Sequence, residues 1–203
     1  DDRELGCSSS RGCAQPDAGA GGEIYVTAYK PNLQVQVSLP YTPIAPFPLR
    51  MVYNSNAAAD SSAYGYGWIL NAAQKLTDLG ASGASIMKFI GEYFYDGTGY
   101  SPLGGVRNSL VKNADNTWKE TQANGAEFNY DTGGKLASIV DRAGNRTTLS
   151  YDGSSRLSTI KNPENQVGTF SYDGGGKLES LEDATNRRTT FVFSSGELQA
   201  LVL

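Results

Sequence analysis

The chain has no histidine among its 203 residues. That excludes Ser-His-Asp and Cys-His catalysis and any histidine-ligated metal. Cysteine is nearly absent as well, with only Cys7 and Cys13, close together near the start. Such a pair closes readily as a disulfide in an oxidising compartment, whereas two thiols alone make a poor metal site. A Cys7–Cys13 disulfide is the expectation, with two unrelated free thiols as the alternative. No apolar run reaches the roughly 18 residues that a membrane span needs. Positive charge is scarce too: 17 Lys and Arg face 21 Asp and Glu, a net charge of −4 with no basic block, which argues against a nucleic-acid partner. Neither a phosphate-binding Walker loop nor a G-x-S-x-G nucleophile elbow occurs. Helix signals are missing; the best candidate, Ala57–Ala59, is too short to nucleate.

What is abundant is glycine, 24 residues, well above the typical share of about 7%. Tyrosine, at 12, outnumbers the 7 Phe and 2 Trp together. Glycine-rich turns and aromatic residues are the material of a turn-rich all-β protein, and the length suffices to bury a core.

Three regions follow from the pattern. Residues 1–22 are Gly, Ser, Ala and charge with almost no large apolar side chain, which predicts a loose segment. Residues 23–125 form a β-rich lead-in. Leu33, Val35, Val37 and Leu39 alternate with polar neighbours as a half-buried strand, and Leu49, Met51 and Tyr53 do the same. Between them, four prolines from Pro40 to Pro48 predict an extended connector running along a surface. Gly65-Tyr66-Gly67-Trp68 reads as a compact aromatic turn, and Ile86–Ile90 and Tyr93–Tyr95 as strands.

Residues 126–203 repeat. Tyr130, Tyr151, Tyr172 and Phe193 stand 21 residues apart, as do Leu136, Leu157 and Leu178, and again Ile139, Ile160 and Leu181. A fixed period over three and a half copies outranks any single-residue argument. Turn signals alternate between two sets: Gly133-Gly134, Gly153 and Gly174–Gly176 in one, and Gly144-Asn145, Pro163–Asn165 and Thr185-Asn186 in the other. Turns every 9 to 12 residues make each unit a β-hairpin, and successive hairpins continue one antiparallel, twisted sheet. One spacing resists a regular strand: Leu157 and Ile160, three apart, fall on opposite faces unless a bulge intervenes or the strand is buried on both sides.

The recurring Tyr-Asp pair has a structural explanation. Stacked units would align Tyr130, Tyr151, Tyr172 and Phe193 with Leu136, Leu157 and Leu178 as a ladder, each aromatic pair contributing about 0.5–1.5 kcal/mol. Asp131, Asp152 and Asp173 can accept from the amides of their own turns. A calcium-binding acidic row is the competing reading, but whole-repeat spacing scatters these carboxylates. No cofactor or metal site is expected.

Phe128-Asn-Tyr-Asp-Thr-Gly-Gly-Lys-Leu136 and Asp141-Arg-Ala-Gly-Asn-Arg-Thr-Thr148 resemble the RHS/YD repeats found in bacterial Rhs proteins, Tc-toxin cocoon components and teneurin ectodomains. The resemblance is strong over 126–203 and weaker over 47–125, where Tyr53-Asn-Ser55 and Gly65–Trp68 resemble the segment that leads into such arrays. It implies a β-ribbon spiralling into a hollow shell, often around a toxic C-terminal polypeptide, with the family's self-cleaving aspartate motif downstream. Three and a half units are too few to close a cavity. The third unit departs from the pattern with Thr185-Asn186-Arg187 for Gly-Asn-Arg, and the last has Phe193-Ser194 for Tyr-Asp.

The expected function is therefore non-enzymatic and structural: part of a secreted or cell-surface RHS/YD shell, with the remainder of a larger RHS-type chain or further copies of itself as partners. An alternative is a secreted subunit that polymerises into filaments. Its motivation is the apolar stretch with Leu198, Leu201, Val202 and Leu203, which carries nothing to blunt a strand edge. A carbohydrate-binding module using exposed Tyr and Trp, Trp118 among them, is a weaker alternative. Enzymatic carboxylate pairs are disfavoured, because adjacent residues such as Glu182 and Asp183 point to opposite faces of a strand. Asn145-Arg-Thr147 is a glycosylation sequon in an expected turn.

Overall fold

A computed structural model of the chain describes residues 13–18, 22–27, 32–39, 44–86, 91–102 and 107–203. Among them there is no α-helix, only two 3₁₀ turns at Ser55–Ala57 and Gly80–Ser82. The strands, in chain order, are β1 (Cys13–Ala18), β2 (Gly22–Thr27), β3 (Asn32–Ser38), β4 (Arg50–Asn54), β5 (Ser61–Ser62), β6 (Gly65–Tyr66), β7 (Trp68–Leu70), β8 (Leu76–Asp78), β9 (Ala84–Ile86), β10 (Gly91–Tyr95) and β11 (Tyr100–Pro102). They continue as β12 (Ser109–Lys112), β13 (Trp118–Thr121), β14 (Glu127–Tyr130), β15 (Leu136–Val140), β16 (Arg146–Tyr151), β17 (Leu157–Lys161), β18 (Val167–Tyr172), β19 (Leu178–Glu182), β20 (Arg188–Ser194) and β21 (Glu197–Val202).

The described strands form a 14-stranded sheet, β8 to β21 in chain order, a five-stranded sheet β1-β2-β3-β4-β7, and the small pair β5-β6. Neighbouring strands pair antiparallel, as chain-order hairpins require. The chain divides into two compact units: one of residues up to 42, 48–71 and 170–203, the other of 43–47 and 72–169.

In the unit of 43–47 and 72–169, one face of the sheet is apolar. Leu136, Ile139, Leu157 and Ile160 are each at most 2% exposed. A fully buried side chain of this size contributes about 1.5–3 kcal/mol. The register explains how residues three apart share that face. Ser150 pairs with Thr159 but Tyr151 pairs with Leu157, so Ser158 is an extra residue. Ala137 is the extra residue in the same place one repeat earlier, between Asn129↔Ser138 and Tyr130↔Leu136. The bulge lets one strand point two nonalternating side chains inward.

The other unit repeats the device at its last hairpin, where Val192 pairs with Ala200 but Phe193 with Leu198. There the connection is a two-residue turn with Ser195 and Gly196 both at positive φ, the backbone that matches strand twist in short hairpins. Leu198 consequently takes the place that Leu136, Leu157 and Leu178 hold, although it follows Leu178 by only 20 residues.

Two expectations change. The proline-rich stretch is not wholly superficial, since Ile44 in its middle, like Leu49 just after it, is completely buried. β1 lies within the stretch whose composition predicts a loose segment.

Candidate functional site

The element the chain reproduces most faithfully is its turn. At Asp131 the backbone N–H donates to the Lys135 carbonyl at 2.9 Å, and the Gly134 N–H donates to the Asp131 carbonyl at 2.9 Å. The same two bonds recur at Asn113, Gln122, Asp141, Asp152, Asn162, Asp173 and Asp183. The fourth residue of every one of these turns has positive φ: Asn116, Gly125, Gly134, Gly144, Ser155, Asn165, Gly176 and Asn186. Gly and Asn are the residues that tolerate this left-handed backbone at least cost. Asn186, not Thr185, therefore stands where Gly144 stands, and the third unit keeps the pattern that its sequence alone suggests it loses.

The first residue of the turn uses its side chain as a tie. Asp131 Oδ1 accepts from the Gly133 and Lys135 amides at 2.9 and 2.8 Å. Asp152 does so from Ser154 and Arg156, and Asp173 from Gly175 and Lys177, at the same distances. The opposite turns follow suit: Asp141 accepts from Ala143 and Asn145, and Asp183 from Thr185 and Arg187. Two amides that a hairpin loop leaves unpaired are thus satisfied by one carboxylate oxygen.

The second oxygen serves a charge. Asp152 Oδ2 lies 2.7 Å from Arg156 Nη2, and Asp183 Oδ2 lies 2.6 Å from Arg187 Nη2. The backbone and side-chain hydrogen bonds of Arg156 hold the Asp152 carboxyl below the usual carboxylate range. Burial pushes the Asp183 carboxyl up, but hydrogen bonds from Thr185 and Arg187 outweigh it and hold the group down at about 2.

The lead-in covers the apolar face and grips the turns. In the unit of 72–169, the Leu76 N–H donates to the Gly134 carbonyl at 2.7 Å and the Leu136 N–H to the Gln74 carbonyl at 3.1 Å. A Cβ on Gly134 would sit 2.0 Å from the Leu76 oxygen, so this turn must carry glycine to be gripped. Ile44 lies against Gly168, where a Cβ would sit 1.9 Å from Ile44 Cδ1. Gly168 occupies the repeat position of Thr147 and Thr189. In the unit of 48–71 and 170–203, the Leu178 N–H donates to the Ala63 carbonyl at 2.7 Å, and Lys177 Nζ donates to the Ser62 carbonyl at 2.6 Å.

The same face holds a buried carboxylate, Glu120, whose hydrogen-bond partners are two phenols and an amide rather than a cation. Glu120, 4% exposed, accepts through Oε1 from the Tyr93 hydroxyl and from Asn108 Nδ2 at 3.0 Å, and through Oε2 from the Tyr130 hydroxyl at 3.4 Å. Tyr130 also donates to Gln74 Oε1 at 3.1 Å. Burial, reinforced by the Glu120 charge, raises both the Tyr93 and the Tyr130 hydroxyls well above their ordinary range. The arrangement is a closed polar knot under the sheet, with each phenol held as a donor.

The protein family described as RHS Repeat matches residues 130–167. The chain carries an RHS repeat. That match spans the Asp131, Asp141, Asp152 and Asn162 turns and both bulged strands, β15 and β17. No curated protein matches the chain. Among solved structures, the crystal structure of TcdB2-TccC3-Cdc42 contains a similar chain, at 12% sequence identity and a TM-score of 0.34. The similarity covers 93% of this chain and 12% of that one, so this chain spans about an eighth of its length.

Within the RHS repeat and its neighbours, the ring positions differ in depth. Tyr130 is 1% exposed, while Tyr151, Tyr172 and Phe193 are half-buried. They stand on β14, β16, β18 and β20, so a leucine strand separates each from the next. Tyr130 faces Leu136, Tyr151 faces Leu157 and Phe193 faces Leu198. Alternate strands are about 9.6 Å apart, too far for direct ring stacking. Tyr151 instead links consecutive hairpins, its hydroxyl donating to the Leu136 carbonyl at 2.8 Å while Lys135 Nζ lies 4.9 Å from its ring centre.

Cys7 lies outside the described residues, and Cys13 is described only as backbone in β1. Leu198 and Leu201 are half-buried, whereas Val202 and Leu203 are 53% and 72% exposed. Asn145 is exposed, but its side chain donates to Asp141 Oδ2 at 2.8 Å and Thr147 of the sequon is buried. Trp118 is 3% exposed, packed edge-on against Tyr100 at 5.0 Å, and cannot offer a sugar-stacking face. The turns at Asn113 and Gln122 and the Glu120 knot were not visible in the 21-residue period. The turn at Asn113 reads from the sequence as Asn113-Ala-Asp-Asn116; the signals for the other two are Asn124-Gly125 and a glutamate at an inward position two residues from Trp118.

Proposed function

We propose that this chain is a structural, non-catalytic segment of an RHS/YD-type β-shell, carried outside the cell or on its surface. Its partners on this reading are the remainder of a larger RHS-type chain or further copies of itself. The observation that carries the reading is the use of one turn design eight times among the described residues, each closed by the same pair of backbone bonds. Selection for a repeated scaffold explains that uniformity; a single-site enzyme would concentrate its unusual geometry in one place. The aspartates act as backbone ties rather than as proton carriers. Elements 74–76 and 44 act as a lining that keeps the apolar face dry.

The test is electron microscopy of the native material together with fractionation of its source. The reading predicts the chain inside a hollow β-walled particle in the medium or at the surface. A discrete particle of the mass of this chain alone, 21.6 kDa, confined to the cell interior, would overturn it.

A further inference from the structure

Among the described residues, the phenols in ring contact with each other are Tyr95 and Tyr100, with ring centres 4.9 Å apart and planes 39° from each other. They pair directly across the β10–β11 hairpin, which sets their Cβ atoms about 4.5–5.5 Å apart. The turn between them holds the pair. Asp96 Oδ1 accepts from the Thr98 amide and hydroxyl, each at 2.8 Å, and from the Gly99 amide at 2.9 Å, while Gly97 takes the positive φ. The Tyr95 hydroxyl donates to the Gly97 carbonyl at 3.0 Å, which restrains its ring, and Trp118 packs edge-on against Tyr100 at 5.0 Å. Both phenols are half-buried beside an exposed turn, within reach of a small reagent. Other tyrosines are placed differently. Tyr53 packs on Trp68, and Tyr66 and Tyr151 each carry a lysine over the ring. Tyr93 and Tyr130, which share Glu120, are sealed at 3% and 1% exposure.

We propose that Tyr95 and Tyr100 are a modification site: a diffusible one-electron oxidant joins them as an intramolecular dityrosine. Each phenol gives one electron to the oxidant and its hydroxyl proton to water. The two phenoxyl radicals couple through the ring carbons next to their oxygens, so a Cε–Cε bond forms. Enolisation then breaks the two Cε–H bonds and returns those hydrogens to the oxygens. The net change is the loss of two electrons and two protons, with two equivalents of oxidant reduced. Ring contact across a held turn makes the coupling unimolecular, which favours it over cross-linking between chains. Trp118 is one ring contact from the pair, so an electron lost from the indole can be replaced from Tyr100. The product closes the hairpin covalently, as a disulfide would close one elsewhere.

The experiment illuminates the dilute, full-length chain with tris(bipyridine)ruthenium and persulfate. Blue dityrosine fluorescence is expected in the monomer. The tryptic peptide 89–107 carries Tyr93, Tyr95 and Tyr100, and it should be lighter by two hydrogens, with no backbone fragments released by breaks between Tyr95 and Tyr100. Tyr95→Phe and Tyr100→Phe, with the fold checked by tryptophan fluorescence, should each lower the monomer's dityrosine yield by at least about tenfold, whereas Tyr66→Phe should leave it unchanged. Undiminished yield in either hairpin variant, a bridge mapped to Tyr93 or to another peptide, cross-linking mainly between chains, or tyrosine oxidation without dityrosine would each overturn the proposal.

Discussion

Replacing Gly168 by threonine would restore the residue that the repeat carries at 147 and 189, and it should destabilise the protein. Gly168 sits in β18 opposite Ile160, and a Cβ there would lie 1.9 Å from Ile44 Cδ1 and 3.2 Å from Cγ1. Ile44 is completely buried, so its side chain cannot swing aside without a void or a shift of backbone. Overpacking of this kind costs about 1–3 kcal/mol. Threonine in a strand recovers up to about 1 kcal/mol of that through its β preference. The net expectation is a loss of about 1–2 kcal/mol, read as a lower urea midpoint by tryptophan fluorescence. Ile44→Ala alone should cost about 2–5 kcal/mol, because it opens a cavity. The double variant should cost less than the sum of the two by about 1 kcal/mol or more, since threonine then fills space that isoleucine has vacated. A Gly168→Thr chain as stable as the parent, with additive effects in the double variant, would refute the claim that Ile44 is seated on this sheet.

Three further outcomes are expected. Asp183→Ala should lose about 1–3 kcal/mol, because the Thr185 and Arg187 amides lose their acceptor, while Asp183→Asn, which keeps Oδ1 as Asn162 does, should lose less. With the Asp183 pKa lowered to about 2, its contribution is fully present above the unfolded value of about 3.9 and fades as pH falls toward 2, so the gap between parent and Asp183→Asn in acid denaturation should close over that window. Asn186→Gly should be neutral or mildly stabilising and Asn186→Val destabilising by about 1–2 kcal/mol, since only the former suits φ near 61°, and thermal melts of the two would show it. The raised Tyr93 and Tyr130 hydroxyls favour folding below about pH 10, and that contribution is lost as pH rises. Ultraviolet titration should therefore find fewer than the 12 tyrosines ionising freely until an alkaline unfolding step releases the rest.

The array was legible because its determinants are local. Tyr-Asp-x-x-Gly places the carboxylate, the unpaired amides and the left-handed residue within five positions, so sequence spacing is also spatial spacing. The bulge was legible only as an anomaly, Leu157 and Ile160 three apart, because the extra residue Ser158 has no signature of its own. By letters Thr185-Asn186-Arg187 lines up with Gly144-Asn145-Arg146, because Asn-Arg matches the motif, whereas backbone conformation puts Asn186 in the place of Gly144. The turn at Asn113 carries its own signal, Asn113-Ala-Asp-Asn116, but neither it nor the turn at Gln122 joins the 21-residue series, because Asn116 and Gly125 precede Gly134 and Gly144 by 18 and 19 residues. Glu120 could not be assigned a role from sequence, since Tyr93 is 27 residues away and reaches it only through the sheet. Gly168 offered a hint in the lone break of the Thr147, Gly168, Thr189 series, but its partner Ile44 lies far upstream.

Amide hydrogen exchange of the native chain tests the turn design most directly. The amides of Lys135, Arg156 and Lys177, in exposed turns but each donating to an aspartate oxygen at 2.8 Å, should exchange at least about tenfold more slowly than unstructured amides, and Asp152→Ala should release Arg156 alone. Exchange of all three at unprotected rates in the parent chain would contradict the account.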